Sequence, residues 1–201
     1  MRPQFPLFQS HLDLAHTYWE RLVGLDDIVI DATCGTGQDS SFLARLPCSR
    51  LYLIDIQKQA LEQTKERLLT QYGDVIMGRI TFIEGCHSKI QEGLTLPEQS
   101  CKLIVYNLGY LPGSDKTLTT HTTTTLQSVS QALQLIKPGG AISITCYPGH
   151  PEGALEEEAL LDMCEGLSPA EWGVCCHRFL NRQQAPSLLL LQRARSKITI
   201  S

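Results

Sequence analysis

The chain has 201 residues, of which 42% are hydrophobic and 19% are charged, and its formal net charge is −4. This length suits one domain with an ordinary core, and the composition excludes a disordered or fibrous chain. No apolar run approaches the ~20 residues of a membrane helix and the N-terminus lacks a signal-type apolar segment, so we expect a cytoplasmic protein without a membrane partner.

Predicted strands alternate with helix-period segments along the chain. The strands are predicted at 28–30, 51–54, 80–83, 103–106, 141–147, 174–180 and 188–192, and helices begin near Ser10, Asp39, Gln57, Thr122 and Gly153. Near-continuous apolar strands indicate a mostly parallel sheet with helices on both faces. The short connection 181–187 leaves no room for a crossover helix, which predicts a C-terminal antiparallel hairpin. We therefore predict a seven-stranded α/β domain over 1–201, with 1–26 as a helical segment packing on it.

The first two predicted strands each end in an acid. Asp31 precedes the turn Gly35-Thr36-Gly37-Gln38, and Asp55 follows Gly37 by 18 residues. The two glycines allow the backbone to approach a ligand closely, and a carboxylate ~20 residues further on suits a ribose. This pattern predicts a site for an adenosine-bearing cofactor, although a glycine turn without a ligand remains an alternative.

The spacing of the turn bears on which cofactor binds. A dinucleotide site needs a third glycine, but that position is Ser40. Asp31 would repel a pyrophosphate and attract the ammonium of a methionine group. Both features favour S-adenosylmethionine over NAD.

The segment after the third predicted strand reads Gly85-Cys86-His87-Ser88. In an open sheet of this kind, that position falls beside the adenine. We predict an adenine contact from Cys86 and His87. The alternative is an ordinary helix N-terminus with Ser88 as the N-cap residue.

The segment after the fourth predicted strand holds Asn107, Tyr110, Asp115 and Lys116. Asn107 and Tyr110 have the spacing of the Asn-Pro-Pro-Tyr motif in methyltransferases that modify amino groups. An amide oxygen there can orient the target nitrogen and an aromatic ring can stack on its base, so positioning supplies much of the rate. A turn without a catalytic role is the alternative.

The segment after the fifth predicted strand presents His150 between two Pro/Gly turns. Its imidazole titrates near neutral pH and could accept the proton shed by a methylated amine. A helix-capping turn with an incidental histidine explains the same residues.

Eight cysteines are scattered without a C-x-x-C pair, which predicts buried free thiols and no metal site. The negative net charge gives no general attraction to nucleic acid. An RNA partner would have to be held locally, and the candidates are Lys116, Arg178, Arg182 and the basic tail 193–197.

Together these strings resemble a family of small cytoplasmic proteins described as rRNA methylases. The matching strings are 31–39, Asp55-Ile56-Gln57, Cys86-His87, 107–116, 147–153 and Phe179-x-Asn181. The resemblance implies a Rossmann-like class I methyltransferase that methylates the aminomethyl group of 5-aminomethyl-2-thiouridine at the tRNA wobble position. It further implies that S-adenosylmethionine binds through Thr36, Gln38, Asp55, Gln57, Cys86 and His87.

The chain departs from the family pattern at three places. Thr36-Gly37-Gln38 stands where the family usually has Asn-Gly-His, Cys86 replaces a serine, and the loop 181–187 lacks its usual second asparagine and second proline. Threonine and glutamine can still hydrogen-bond a carboxylate or a ribose, so we expect cofactor binding to persist.

The favoured hypothesis is an S-adenosylmethionine-dependent tRNA methyltransferase. Methylation of rRNA or of a small-molecule amine remains open, as do an NAD-dependent oxidoreductase and a non-catalytic cofactor-binding module. A homodimer is compatible with the sequence, which does not specify the oligomeric state.

Overall fold

A computed structural model describes residues 7–109, 120–182 and 184–195 of the chain. In this part of the chain, the strands are β1 (Ile28–Asp31), β2 (Arg50–Asp55), β3 (Ile80–Glu84), β4 (Cys101–Asn107), β5 (Ile136–Cys146), β6 (Trp172–His177) and β7 (Ser187–Arg193). The α-helices are α1 (His11–Leu22), α2 (Gln38–Leu43), α3 (Lys58–Tyr72), α4 (Ile90–Leu94), α5 (Thr122–Leu135) and α6 (Pro151–Glu165).

The described strands form one sheet in the order β3-β2-β1-β4-β5-β7-β6. Neighbours from β3 to β5 run parallel, whereas β7 lies antiparallel between β5 and β6. This confirms the predicted mostly parallel sheet and its C-terminal hairpin. The strand order reverses between β1 and β4, and the carboxyl ends of strands at such a point form a ligand cleft.

Two buried clusters cover the two faces of the sheet, because successive strand residues point to opposite sides. Ile30, Ile104 and Ile142 pack on the side of α5 and α6. Val29 and Leu103 pack on the other side, with residues of α1, α2 and α3.

The N-terminal helix is anchored in the second of these clusters. Ala15 and Trp19 are buried there, and α1 contacts β4, β5 and β7. Ser10 caps the helix by accepting a hydrogen bond from the backbone N–H of Asp13 at 3.1 Å. Among the helices of the described ranges, none combines the length and apolar character needed to cross a membrane.

The structure corrects several local predictions. Strand β6 ends at His177 rather than at 180, because pairing with β7 stops at His177 and the chain turns at Leu180 and Asn181. The helix α4 was raised only as an alternative, with Ser88 rather than Lys89 as its N-cap, and the 3-10 turn Asp74–Arg79 was not predicted, because both are too short to show a helical period.

The cysteine prediction was partly wrong. The eight cysteines, all in the described ranges, are free thiols, but Cys175 and Cys176 are exposed and Cys86 is half-buried. Cys175 and Cys176 lie on β6, which is the edge of the sheet and is covered less than the central strands.

Candidate active site

A cavity of about 720 Å³ opens at the carboxyl ends of the parallel strands. Nine of the sequence-predicted site residues line it: Gly35, Thr36, Gln38, Asp55, Gln57, Cys86, His87, Asn107 and His150. Asp31 and Gly37 lie next to these residues but not on the cavity surface. Tyr110, Asp115 and Lys116 fall outside the described residues.

The glycine turn between β1 and α2 has a backbone that other residues rarely adopt. Gly35 and Gly37 have φ angles of 50° and 78°. A Cβ on Gly37 would come within 2.8 Å of Thr64 Oγ1, so the turn lies directly against α3. The Thr64 hydroxyl also donates to the Gly35 carbonyl at 2.8 Å. The turn is thus held from behind, and its other side faces the cavity.

Asp55, at the end of β2, holds this turn in place. One carboxylate oxygen accepts from the Gly35 N–H and the other from the Gln57 N–H, both at 2.9 Å. Burial raises the pKa of Asp55, while the backbone N–H groups of Gln57, Gly35 and Ile56 act in the opposite direction. Each oxygen keeps a lone pair for a further donor, such as a ribose hydroxyl.

Asp31 lies behind the turn and is only 1% exposed. It accepts from the Ser40 hydroxyl at 2.6 Å and from the Thr33 N–H at 3.3 Å. The serine in place of a third glycine therefore partners a buried acid. The carboxylate supports the turn, and the structure does not place it where the predicted contact with a methionine ammonium would form.

Asp31 also makes a testable contribution to the pH dependence of stability. Burial raises its pKa from 3.8 to about 7, with a smaller contribution from Asp39. As pH rises from about 4 to about 7, the unfolded chain releases this proton before the folded chain does, which lowers the free energy of unfolding. The Asp31→Asn variant lacks this effect and can still bond Ser40 and Thr33. Urea unfolding should therefore show the wild type losing stability relative to the variant over this pH range. Parallel pH profiles would contradict the burial effect.

Cys86 and His87 form the opposite wall of the cavity, after β3. Cys86 is the N-cap residue of a 3-10 turn over His87–Lys89, so the alternative with Ser88 as N-cap was wrong. The His87 ring packs edge-on against Tyr106 at 6.1 Å. Burial lowers the pKa of His87 to about 4, so its imidazole is neutral at pH 7. Within the described ranges, its buried Nδ1 has no hydrogen-bond partner.

These residues fit S-adenosylmethionine. Gly35 lines the cavity with no side chain to keep a ligand from its backbone, and Asp55 and Gln57 offer hydrogen-bonding groups for a ribose. A neutral imidazole at His87 suits an uncharged base better than a phosphate.

The other end of the cavity is built around Asn107, at the end of β4. Its backbone N–H donates to Thr33 Oγ1 at 2.7 Å, and its side-chain Nδ2 donates to Asp39 Oδ2 at 3.1 Å. Because Nδ2 is occupied by Asp39, the amide oxygen Oδ1 is the group left to accept from a substrate. An amide oxygen at this position can accept a hydrogen bond from the N–H of an amine substrate.

Tyr147 completes this end of the cavity. Its hydroxyl lies 3.3 Å from His11 Nε2, and the two rings meet edge-on at 5.6 Å. Burial raises the pKa of Tyr147 to about 12, so the hydroxyl stays protonated. Tyr147, Asp39 and His11 were not predicted as site residues from the sequence, although the first two lie inside the matching strings 147–153 and 31–39.

His150 is the N-cap residue of α6. Its Nδ1 accepts from the Gly153 N–H at 3.1 Å, which places the proton of the neutral ring on Nε2. A Cβ on Gly153 would collide with the Tyr147 carbonyl and the His150 ring, so this turn requires glycine. With Nδ1 occupied, the neutral ring has no lone pair for a substrate proton. The geometry therefore favours the capping alternative over the predicted proton acceptor.

Tyr110, Asp115 and Lys116 belong to the segment 110–119, and the described residues on either side of this segment lie at the cavity. Gly109 and Thr120 both line the cavity, and the Gly109 N–H donates to Thr120 Oγ1 at 2.9 Å. The Thr120 N–H donates back to the Gly109 carbonyl at 3.1 Å. Glu156, only 2% exposed, accepts from the Thr120 hydroxyl at 2.8 Å. Both ends of the segment are thus fixed beside Asn107.

The chain and its fold match known proteins. The sequence profile of the family described as "Putative rRNA methylase" matches residues 51–193. The "tRNA (mnm(5)s(2)U34)-methyltransferase, chloroplastic" of Arabidopsis thaliana is 36% identical over 187 residues, which are 89% of this chain and 68% of that protein.

Two solved structures cover nearly the whole fold. One is an rRNA methylase, so described, from Clostridium thermocellum, with 31% identity and a TM-score of 0.84 over 92% of this chain and 98% of that one. The other is a methyltransferase, so described, from Streptococcus mutans in complex with SAH. It has 27% identity and a TM-score of 0.81 over 92% of this chain and 99% of that one.

Proposed function

Since the chain belongs to the rRNA methylase family and is an S-adenosylmethionine-dependent methyltransferase, we propose that it methylates the aminomethyl group of 5-aminomethyl-2-thiouridine at the tRNA wobble position. The choice of this substrate is supported by one observation. The sequence is 36% identical, over 89% of the chain, to a protein named as a tRNA (mnm(5)s(2)U34)-methyltransferase. The orientation of the Asn107 amide supports an amine acceptor independently of that name.

The cavity has a cofactor half and an acceptor half. In the cofactor half, Thr36 and Gln38 would hold the methionine end, Asp55 and Gln57 the ribose, and Cys86 and His87 the adenine. When bound, S-adenosylmethionine would supply a methyl group on a positively charged sulfur. A neutral amine attacks the methyl carbon in line with the C–S bond, which breaks as the N–C bond forms and releases a neutral thioether. Gly37 and Asp31 act indirectly, by shaping and supporting the turn.

In the acceptor half, the protein's contribution is to orient the amine. Asn107 Oδ1 accepts one N–H of the amine and thereby turns its lone pair towards the methyl carbon. Tyr147, whose pKa is raised by burial, offers a neutral hydroxyl beside Asn107. This chemistry needs positioning more than acid or base strength, and the product ammonium can release its proton to water.

An aromatic and cationic cluster beside the cavity suits an RNA substrate. The guanidinium of Arg182 lies 5.0 Å from the centre of the Phe179 ring, and Phe8 meets that ring edge-on at 5.8 Å. Nearby, Gln184 lines the cavity and its carbonyl approaches Gly149. Stacked aromatic and guanidinium groups are the usual contacts to unpaired bases and phosphates.

The Arg182→Glu variant is therefore expected to bind tRNA about 5- to 10-fold more weakly at low salt, with a smaller salt dependence, because one phosphate contact is replaced by repulsion. Binding of S-adenosylmethionine should not change. Fluorescence anisotropy of labelled tRNA at two salt concentrations measures this. Arg50→Glu is the matched control, because Arg50 is exposed at the start of β2, at the end opposite the cavity. Equal losses in both variants would point to net charge rather than a local contact.

The proposed substrate class is tested by supplying the enzyme with methyl-labelled S-adenosylmethionine and separate pools of tRNA, rRNA and small-molecule amines. We expect the label in tRNA from cells unable to methylate the wobble aminomethyl group. Labelling of rRNA alone, or of a small amine alone, would replace the proposal with that alternative.

A further inference from the structure

The N-terminal helix α1 reaches the acceptor half of the cavity through His16. The Nε2–H of His16 donates to Asp39 Oδ1 at 2.7 Å, and Asp39 Oδ2 accepts from Asn107 Nδ2 at 3.1 Å. One carboxylate thus joins a ring on α1 to the amide at the end of β4. The side chain of Asp39 is only 9% exposed and that of His16 is 23% exposed.

The imidazole is held firmly by its neighbours. The His16 ring stacks on Phe42, with centroids 3.9 Å apart and planes inclined by 18°. Trp19, which is buried in the core, lies 4.9 Å away on the same helix. A ring fixed between α1 and α2 in this way fixes the carboxylate that it donates to.

We propose that Asp39, held by His16, is a positioning residue that keeps the Asn107 amide oxygen turned towards the acceptor amine. The helix α1 is thereby part of the active site, and not only a segment that packs on the sheet. Both His16 and Asp39 precede residue 51, where the family profile begins to match. The inference rests on the proposed role of Asn107 as the amine-orienting residue.

The physical basis is that a carboxylate only accepts hydrogen bonds. Asp39 can therefore pair with the NH₂ side of the Asn107 amide, whereas the flipped amide would bring two oxygens together. A flipped Asn107 would also present NH₂ to the cavity and could not accept from an amine. Asp39 thus selects the single amide orientation that permits methyl transfer.

The Asp39→Asn variant tests this directly. With the His16 proton on Nε2, the new amide turns its oxygen to His16 and its NH₂ to Asn107, which reverses the Asn107 amide. We expect kcat to fall about 100-fold, as for other small misplacements of a reacting group, while the Kd for S-adenosylmethionine stays within about 2-fold. The melting temperature is measured in parallel to verify folding.

A donor–acceptor exchange supplies the rescue. In the double variant Asp39→Asn with Asn107→Asp, the amide at 39 donates to a carboxylate at 107, which again presents an oxygen to the amine. We expect this double variant to recover at least about 5-fold in kcat over Asp39→Asn alone. The His16→Phe variant keeps the stack on Phe42 but loses the donor, and should lower kcat less than Asp39→Asn does.

The control is Asp13→Asn, an exposed acid on the same helix whose partner is Ser10. Turnover of this control should equal that of the wild type. An unchanged kcat for Asp39→Asn, or a parallel loss of cofactor affinity, would overturn the positioning role. Loss of the acidic limb of the pH–rate profile would overturn it too, because that result identifies Asp39 as the proton acceptor.

All rates are measured on whichever acceptor the wild type methylates. If the methylated acceptor is not tRNA, the proposed function fails. The positioning role fails separately, if kcat is the same for the wild type and Asp39→Asn on that acceptor.

Discussion

The Asp55→Ala variant is expected to bind S-adenosylmethionine about 100-fold more weakly than the wild type. The wild-type carboxylate accepts from the Gly35 and Gln57 N–H groups at 2.9 Å and keeps lone pairs for the ribose. Its removal frees the cofactor turn and deletes charge-assisted hydrogen bonds, each of which contributes about 1.5–3 kcal/mol. Both losses act on the same ligand, so a large effect on affinity follows.

Isothermal titration calorimetry with S-adenosylmethionine measures this affinity. Asp55→Asn is the graded comparison, because it keeps one acceptor oxygen and should fall between the wild type and Asp55→Ala. Glu66→Ala, at an exposed position of α3, is the control that should leave binding unchanged. Comparable affinities of the wild type and Asp55→Ala would remove Asp55 from the cofactor site.

The second large effect is expected from Asn107→Ala, which should lower kcat by about 100- to 1000-fold. Without Oδ1, the amine loses the acceptor that orients it, and Asp39 loses its Nδ2 donor. Binding of S-adenosylmethionine should change little, because Asn107 lies in the acceptor half of the cavity. The effect therefore separates turnover from cofactor affinity, in contrast to Asp55→Ala.

Single-turnover rates with a saturating cofactor concentration measure this step without interference from product release. The Asn107→Asp variant retains an oxygen acceptor and is expected to keep more activity than Asn107→Ala. If both variants turned over as fast as the wild type, the acceptor role of Asn107 would be lost, and the positioning role of Asp39 with it.

The sequence predicted the features of this site that are local in the chain. The two acids at strand ends, the glycine turn and Asn107 each follow a recognisable apolar strand, and parallel strands bring their carboxyl ends together. The five predicted helix starts, from Ser10 to Gly153, lie within two residues of the observed ones.

The contacts that connect these local features could not be predicted in the same way. His11 meets Tyr147 across 136 residues, and Asp39 meets Asn107 across 68 residues. Nothing in a run of neighbouring residues encodes such pairs, since they depend on how α1 and α2 pack against the sheet. His150 is a different case, because its hydrogen bond with Gly153 is local in the chain, yet only the structure shows that Nδ1 is the ring nitrogen that accepts it, which favours the capping interpretation.

The proposal for the substrate is tested most directly by nucleoside mass spectrometry of tRNA methylated in vitro. The tRNA is taken from cells that stop at the 5-aminomethyl-2-thiouridine stage and is incubated with the enzyme and methyl-deuterated S-adenosylmethionine. We predict that the wobble nucleoside gains the mass of one labelled methyl group on its side-chain nitrogen, and that Asn107→Ala largely abolishes this gain. An unmodified wobble nucleoside, with the label at another position of the tRNA or in rRNA, would contradict the account.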